Sequence, residues 1–170
     1  MYALKGCALN MNKLLDLIAE NANLTTSQLA VMLQISEDEV IKQIKQYEND
    51  GVIKGYKAIV NWDKAPLKSA SAIIELKVTP KLETGFDEIA KRIMMFDEVE
   101  SIYLMAGTYD FSVMVRGNTI QEISAFVSKR LSTLPSVIST ATHFVLTRYK
   151  DSGVLLCDND DDYDRRNLLL

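Results

Sequence analysis

The spacing of the hydrophobic residues changes near residue 69, and this change constrains the fold more than any other feature of the sequence. Up to about Gly55, apolar side chains recur every three or four positions, which is the spacing of amphipathic helices. From Ala70 to Val78 they occupy every second position, which indicates a half-buried strand. A chain of 170 residues has room for two small domains. We therefore predict an α+β fold, with a helical N-terminal domain in front of a domain that mixes strands and helices.

The first segment carries the signals of three short helices. Apolar residues at helical spacing place the first helix at residues 12–21. Thr25 with Gln28, and Ser36 with Glu39, are capping boxes that open the second and third helices, and Gly51 ends the third. Three short helices with a tight turn between the last two describe a helix-turn-helix. A plain three-helix bundle without a role in DNA binding is the alternative interpretation of this pattern.

Short segments complete and connect the predicted domains. Residues 52–61, VIKGYKAIVN, are strand-like and complete a winged-helix-like helix-turn-helix domain at residues 11–61. Residues 62–68 contain an aspartate, a proline and scattered lysines, and we predict a linker there. Residues 1–10 are assigned to an N-terminal extension.

The C-terminal segment, residues 151–170, is predicted to be an acidic tail. Its aspartates at alternate positions imitate the start of a calcium-binding loop. Such a loop needs glycine at its sixth position and glutamate at its twelfth, where this chain has Tyr163 and Leu169. We therefore expect no calcium site, and the sequence indicates no other metal site.

The second domain, residues 69–150, alternates strands and helices in the order β-α-β-β-α-β. This order is typical of a ferredoxin-like sandwich, an antiparallel sheet with both helices on one face. The predicted elements are a strand at 70–78, a helix at 85–96, a strand at 99–106, a turn at 107–110, a strand from 111, a helix at 119–134 and a strand at 137–149. The residues expected to point inward from the helices are Phe86, Ile89, Ile93 and Met94, then Ile120, Ile123, Val127 and Leu131.

The other face of the predicted sheet mixes polar and apolar residues. Ser71, Ile73 and Glu75 share this face of the first strand, and Ser112 and Met114 share it on the third. A face of this mixed character suggests a partner sheet, and hence a homodimer.

Composition limits the class of protein further. Apolar residues make up 48% and charged residues 25%, as in globular domains. No apolar run is long enough to span a membrane, so we expect no membrane partner. Cys7 and Cys157 lie at opposite ends of the chain and form no disulfide framework, which suits the reducing cytoplasm.

An enzyme is not indicated. The sole histidine, His143, lies on a predicted strand, where a packed or surface role is more common than a role as general base. The sequence contains no glycine-rich phosphate loop and no nucleophile–base pair at a telling spacing. We expect neither catalytic residues nor a cofactor.

The order and spacing of these features resemble one known family. Residues 24–61, LTTSQLAVMLQISEDEVIKQIKQYENDGVIKGYKAIVN, resemble the helix-turn-helix of the Lrp/AsnC (leucine-responsive) transcription regulators. AGTYDFSVMV at 106–115 resembles the Gly-x-x-Asp turn and the strand after it, and STATHFVL at 139–146 resembles the final strand. The resemblance covers roughly residues 11–150.

The resemblance implies a free amino acid as effector and a particular assembly. In this family the second domain pairs sheets into homodimers, dimers assemble into octamers or other closed rings, and effectors bind at contacts between dimers. The segment GVIKGYKAIVN would help to join the N-terminal regions of two protomers. The DNA-reading helix would run from Ser36 to about Glu48.

An amino-acid effector needs an acceptor for its ammonium group and several donors for its carboxylate. Asp110 supplies the acceptor, Gly107 permits a sharp turn and a close backbone approach, and the hydroxyls of Thr140 and Thr142 are donors. An alternative role for Asp110 is to cap the hairpin turn. Together with the two residues expected to contact the ligand side chain, the predicted effector set is Met105, Gly107, Tyr109, Asp110, Thr140 and Thr142.

The predicted DNA-reading helix has an unusual charge. From Ser36 to Asp50 there are two lysines and five acids, and no arginine occurs before Arg92. Because neutralisation of phosphates supplies most non-specific affinity, one module should bind DNA weakly and an oligomer should restore the affinity. The residues predicted to contact DNA are Thr26, Ser27, Ser36, Lys42, Gln43, Lys45, Gln46 and Lys54.

Two functions therefore remain open from the sequence. The first is an amino-acid-responsive DNA-binding regulator that acts as a multivalent oligomer. The second is an effector-binding sensor or scaffold whose helix-turn-helix has lost contact with DNA.

Overall fold

The computed structural model describes residues 13–67, 69–80 and 85–157. The chain divides into two compact units, Met1–Ala58 and Ile59–Leu170. The sequence had placed the end of the first domain at residue 61, three residues after this division. The predicted N-terminal extension, Cys7 and the aspartates of the calcium-like tail lie outside the described residues.

The first unit contains three helices, as the sequence predicts. They are α1, whose described part is residues 13–20, α2 at Thr26–Leu33 and α3 at Glu37–Asn49. Gln34 ends α2 in the left-handed conformation, so that only three residues separate α2 from α3. The apolar faces of the three helices meet in one core, formed by Leu14, Leu29, Ala30, Leu33, Val40 and Tyr47.

Both predicted caps are present, but only one capping box is complete. The Thr25 hydroxyl accepts from the Gln28 N–H at 3.2 Å, and Gln28 Oε1 accepts from the Thr25 N–H at 2.9 Å. Ser36 accepts from the Glu39 N–H at 3.3 Å, whereas the Glu39 carboxylate accepts from the Gln43 side chain instead of returning the bond. Gly51, at φ +68°, provides the left-handed residue after α3 that favours glycine.

Removal of the Thr25 cap should destabilise the first unit. We expect Thr25→Ala to lower the free energy of unfolding by about 1 kcal/mol, because the Gln28 N–H then loses its acceptor. Urea unfolding followed by helical circular dichroism measures the change. Thr25→Ser keeps the hydroxyl and should behave like the unaltered chain, and an equal loss in both variants would contradict the role of the cap.

The second unit has the predicted ferredoxin-like topology. Its main elements are β1 at Ala70–Val78, α4 at Asp87–Met94, β2 at Val99–Leu104, β3 at Phe111–Gly117, α5 at Ile120–Phe126 and β4 at Val137–Phe144. The four strands form one antiparallel sheet in the order β2-β3-β1-β4. A short hairpin follows, made of β5 at Lys150–Asp151 and β6 at Val154–Leu155.

One face of the sheet is covered by the two helices. Alternate residues of β1 and β3 are buried against both helices, in a core that includes Ala72, Ile74, Leu76, Phe111, Val113, Val115, Ile89, Ile93, Ile123 and Leu131. Phe86 and Val127 also pack here, as predicted. Met94 and Ile120 were wrongly predicted to point inward, since their side chains are 54% and 50% exposed. Met94 follows the buried Ile93 by one residue, a rotation of about 100° around the helix.

The largest differences from the prediction concern three elements. Residues 53–60 form no strand, because a strand needs a partner and no segment within 13–67, 69–80 or 85–157 pairs with them. The last long strand ends at Phe144 instead of residue 149, and the chain then turns into the hairpin. The final helix changes from α to π geometry at Val127–Leu131 and ends there. Among the described residues, no helix is both long enough and apolar enough to span a membrane.

Candidate functional site

The solvent-exposed side of α3 carries several of the residues predicted to contact DNA. Lys42, Lys45 and Gln46 are exposed, as is Lys54 beyond the end of the helix. Val40 and Tyr47 are buried on the opposite side of α3. The helix therefore packs on α2 and leaves the two lysines free to meet a phosphate backbone.

Gln43 is less available than the sequence suggested. Its side chain is half-buried, and Nε2 donates to Glu39 Oε1 at 3.5 Å. Its Oε1 is buried. Within the described residues this amide therefore faces its own helix, and a base contact by Gln43 requires a new side-chain rotamer.

The predicted hydroxyl contacts are already engaged inside the unit. Ser36 caps α3, and the Thr26 hydroxyl donates to Glu37 Oε1 across the turn. The hydrogen bonds from Thr26 and, to a smaller extent, from Ser27 lower the pKa of Glu37 below its ordinary value. A hydroxyl has one hydrogen, so Thr26 has none left for a phosphate while this bond exists.

The first turn of α3 is acidic at the surface. Glu37, Asp38 and Glu39 are its first three residues, and all three are exposed. Their negative charge interacts favourably with the positive N-terminal end of the helix dipole and so stabilises the helix. The same negative charge repels DNA phosphates. In the structure, as in the sequence, α3 has the position of a recognition helix but carries negative charge at its N-terminal end, which disfavours DNA binding.

Asp110 joins the turn after β2 to the end of β1. Its Oδ2 accepts from the Val78 N–H at 2.8 Å, and its own N–H donates to the Leu76 carbonyl at 2.8 Å. Its carbonyl accepts from the Met105 N–H, also at 2.8 Å. The carboxylate therefore has a structural bond to β1, and in the described part of the chain its Oδ1 has no hydrogen-bond partner.

The other residues of the predicted turn are open to solvent. Gly107 and Met105 are exposed and Tyr109 is half-buried. Gly107 does not adopt a positive φ, and a Cβ at this position would meet nothing within 4 Å. The backbone conformation at Gly107 therefore does not require glycine, and the open space in front of it permits the close approach of another molecule.

Thr140 and Thr142 lie on the far side of β1 from Asp110. They pair with Leu76 and Ile74 along β4, while Asp110 belongs to the β3 side of β1. Two strand spacings separate the two sides, or about 10 Å. The Thr140 hydroxyl lies 3.4 Å from the Ser132 hydroxyl. The chain thus places the predicted donors and the predicted acceptor at the same end of the sheet, without bringing them together.

The face of the sheet without helices combines polar and apolar residues, as predicted. Ser71, Ile73 and Glu75 of β1 pair with Arg116, Met114 and Ser112 of β3. His143 Nε2 lies 3.6 Å from Glu75 Oε1 on this face. On this face Ser71, Glu75, Ser112 and Met114 are half-buried and Ile73 is 37% exposed.

The sequence missed a cluster at the edge of this face. Arg116 forms an ion pair with Glu100 at 2.7 Å and lies 4.3 Å from the centre of the Trp62 ring. Asn61 Nδ2 donates to the Leu156 carbonyl at 2.6 Å. These contacts attach Asn61, which was predicted to end the first domain, and Trp62, which was predicted to begin the linker, to the second unit. The alternation Ser112, Met114, Arg116 could have indicated that Arg116 shares the open face.

The fold and the surface of α3 define a class of protein: a helix-turn-helix reader followed by a separate ligand-sensing α/β domain. Two family models match the chain in this order, one for a winged helix-turn-helix DNA-binding domain at residues 10–54 and one for the Lrp/AsnC ligand-binding domain at residues 71–155. The chain belongs to the Lrp/AsnC family of transcriptional regulators. This match favours the DNA-binding regulator over the scaffold without DNA contact.

Individual relatives span nearly the whole chain. The HTH-type transcriptional regulator YugG of Bacillus subtilis is 44% identical over 151 residues, which cover 88% of this chain and 91% of YugG. The HTH-type transcriptional regulator LysM of Sulfurisphaera tokodaii is 32% identical over 134 residues, which cover 79% of this chain and 91% of LysM.

Solved structures share the fold. A Neisseria meningitidis transcriptional regulator in complex with L-Met superposes with a TM-score of 0.68 at 22% identity, over 84% of this chain and 91% of that one. The leucine response regulatory protein of Mycobacterium tuberculosis superposes with a TM-score of 0.71 at 23% identity, over 87% and 98% of the two chains.

Proposed function

We propose that this chain is an amino-acid-responsive transcription regulator that binds DNA as a multivalent homo-oligomer in the cytoplasm. The observation that carries the proposal is that a DNA-binding domain and an Lrp/AsnC ligand-binding domain follow each other in one chain. The relatives are transcriptional regulators, which fits a regulatory role and not an enzymatic one.

An oligomer is needed because a single helix-turn-helix should bind DNA weakly. Each α3 offers two lysines beside three acids in its first turn, so one reader gains little from phosphate neutralisation. Linked readers bind with a high effective concentration and recover affinity without new contacts. The open sheet face and segment 53–60, which pairs with no strand among the described residues, would supply surfaces for homodimers, and the family resemblance extends this assembly to octamers.

The effector site is proposed at the turn that contains Asp110. Through Oδ1 the Asp110 carboxylate would accept from an ammonium group, and the open space at Gly107 would admit a ligand backbone. Met105 and Tyr109 flank the turn and would contact the ligand side chain. Since Thr140 and Thr142 lie on the other side of β1, a second subunit that brings its own donors to Asp110 would complete the site, in keeping with effector binding between dimers.

A screen of the free amino acids tests this function. A ligand that binds only the native chain raises the apparent melting temperature, so the effector should produce a shift that grows with its concentration. The same amino acid should change the affinity of the full chain for its own upstream DNA. If no amino acid alters stability or DNA affinity, the amino-acid-responsive function is wrong.

Two substitutions of Asp110 separate its structural bond from its proposed binding role. Asp110→Asn keeps an acceptor for the Val78 N–H and removes the charge, so we expect at least a tenfold loss of amino-acid affinity with little loss of stability. Asp110→Ala should weaken both, because the Val78 N–H is then left without its partner, at a cost of about 1–3 kcal/mol.

Calorimetry of amino-acid binding and denaturant unfolding measure the two effects of these substitutions. Unchanged amino-acid binding by Asp110→Asn would show that the carboxylate serves only the fold.

A further inference from the structure

Glu37 is the one acid of the first turn of α3 that another helix holds in place. Thr26 and Glu37 are the first residues of α2 and α3, and the Thr26 hydroxyl donates to the Glu37 carboxylate. The Glu39 carboxylate instead accepts from Gln43 on its own helix. The hydroxyls of α2 thus fix the orientation of an exposed carboxylate at the end of the helix that reads DNA.

This placement matters because recognition helices present their N-terminal residues to base edges in the major groove. DNA is the expected ligand of α3, because residues 10–54 match a winged helix-turn-helix DNA-binding domain. The hydrogen bonds from Thr26 and Ser27 lower the pKa of Glu37, so the carboxylate is ionised at neutral pH and can only accept hydrogen bonds. Among the base edges in the major groove, only amino groups can donate a hydrogen bond to it.

Two bases offer an amino donor in the major groove, namely cytosine through N4 and adenine through N6. In adenine the donor lies beside the acceptor N7, whose lone pair repels a carboxylate. In cytosine the neighbouring edge atom is the C5–H, which does not. A carboxylate beside guanine or thymine would lose its hydrating water without gaining a hydrogen-bond donor, which lowers the affinity for sites with those bases at this position.

We propose that Glu37, positioned by Thr26, reads a cytosine in each half-site and so contributes specificity instead of only repelling DNA. This inference rests on the DNA-binding function proposed above. From the sequence alone, the negative charge of Glu37 predicted only repulsion of DNA.

Selection of duplex DNA from a random library by the full-length protein at low salt tests the proposal. The unaltered chain should enrich sites with cytosine at one fixed position of each half-site, preferred by about tenfold or more over other bases. Glu37→Gln should lose that preference, with adenine rising at the same position, while the other positions stay as before. Thr26→Val, which removes the positioning hydroxyl, should weaken the cytosine preference without replacing it by adenine.

Asp38→Asn is the matched control, since it removes the same charge from the neighbouring exposed residue. It should raise affinity for all sequences and leave the cytosine preference intact. A motif that is identical for the unaltered chain and Glu37→Gln, or a cytosine preference lost equally in Asp38→Asn, would overturn the role of Glu37 while leaving DNA binding in place. Failure of the unaltered chain to retain any DNA would overturn both this role and the proposed function.

Discussion

Replacement of Lys42 and Lys45 by alanine should nearly abolish DNA binding. These are the two exposed cations of α3, and each phosphate contact contributes about 0.9 to the slope of log affinity against log salt. At about 0.15 M salt one contact is then worth roughly fivefold in affinity, so a reader loses about 30-fold and a pair of readers about 1,000-fold. Fluorescence anisotropy with duplex DNA at several salt concentrations measures both the affinity and the slope.

A control with the same change in total charge separates a local effect from a general one. Lys91 and Lys129 are exposed on the helices of the second unit, and Lys91→Ala with Lys129→Ala removes the same two charges from each chain. We expect this control to bind DNA within a few-fold of the unaltered protein. Similar losses in both double variants would mean that α3 is not the surface that meets the phosphates.

The largest loss of stability is expected for Phe111→Ala. Phe111 is 1% exposed at the start of β3, and its ring packs edge-on against Phe86 with 5.8 Å between centroids. Truncation of a buried phenylalanine typically costs 3–5 kcal/mol, as the sum of lost transfer energy and the cavity left behind. That is a large part of the stability of a small domain.

The chain contains a suitable reporter for this measurement. Its single tryptophan, Trp62, stacks on Arg116 in the second unit, so tryptophan fluorescence during urea unfolding follows the same unit as Phe111. Met95→Ala is the control, because this side chain is 81% exposed and its loss should change stability by no more than about 0.5 kcal/mol. A loss below about 1 kcal/mol for Phe111→Ala would show that the core of the sensing domain is not packed as described.

The features that the sequence predicted well depend on neighbours along the chain. The Thr25 cap needs only Gln28 three residues later, and the alternation in β1 needs only its own pleat to separate the buried from the open face. The order of the elements in the second domain then leaves few topologies, and the ferredoxin-like sheet is confirmed.

The features that were missed depend on contacts between distant residues or on a partner. Residues 53–60 have the composition of a strand, but strand formation requires a second strand, which the described part of the chain does not supply. The bond from Val78 to Asp110 spans 32 residues and the bond from Thr26 to Glu37 spans 11, so neither follows from a local pattern. The first changed the interpretation of Asp110, and the second that of the acidic turn of α3.

DNA binding by the intact assembly, measured as salt is varied, tests the central claim most directly. The full-length chain is titrated against its own upstream DNA by gel shift, beginning at low salt and repeated as the salt concentration is raised. We expect binding at micromolar protein or below that weakens linearly in log affinity against log salt, with a slope larger than the two lysines of one reader can produce. Absence of any salt-dependent binding at micromolar concentrations of the assembled protein would contradict a regulator that reads DNA through joined helix-turn-helix units.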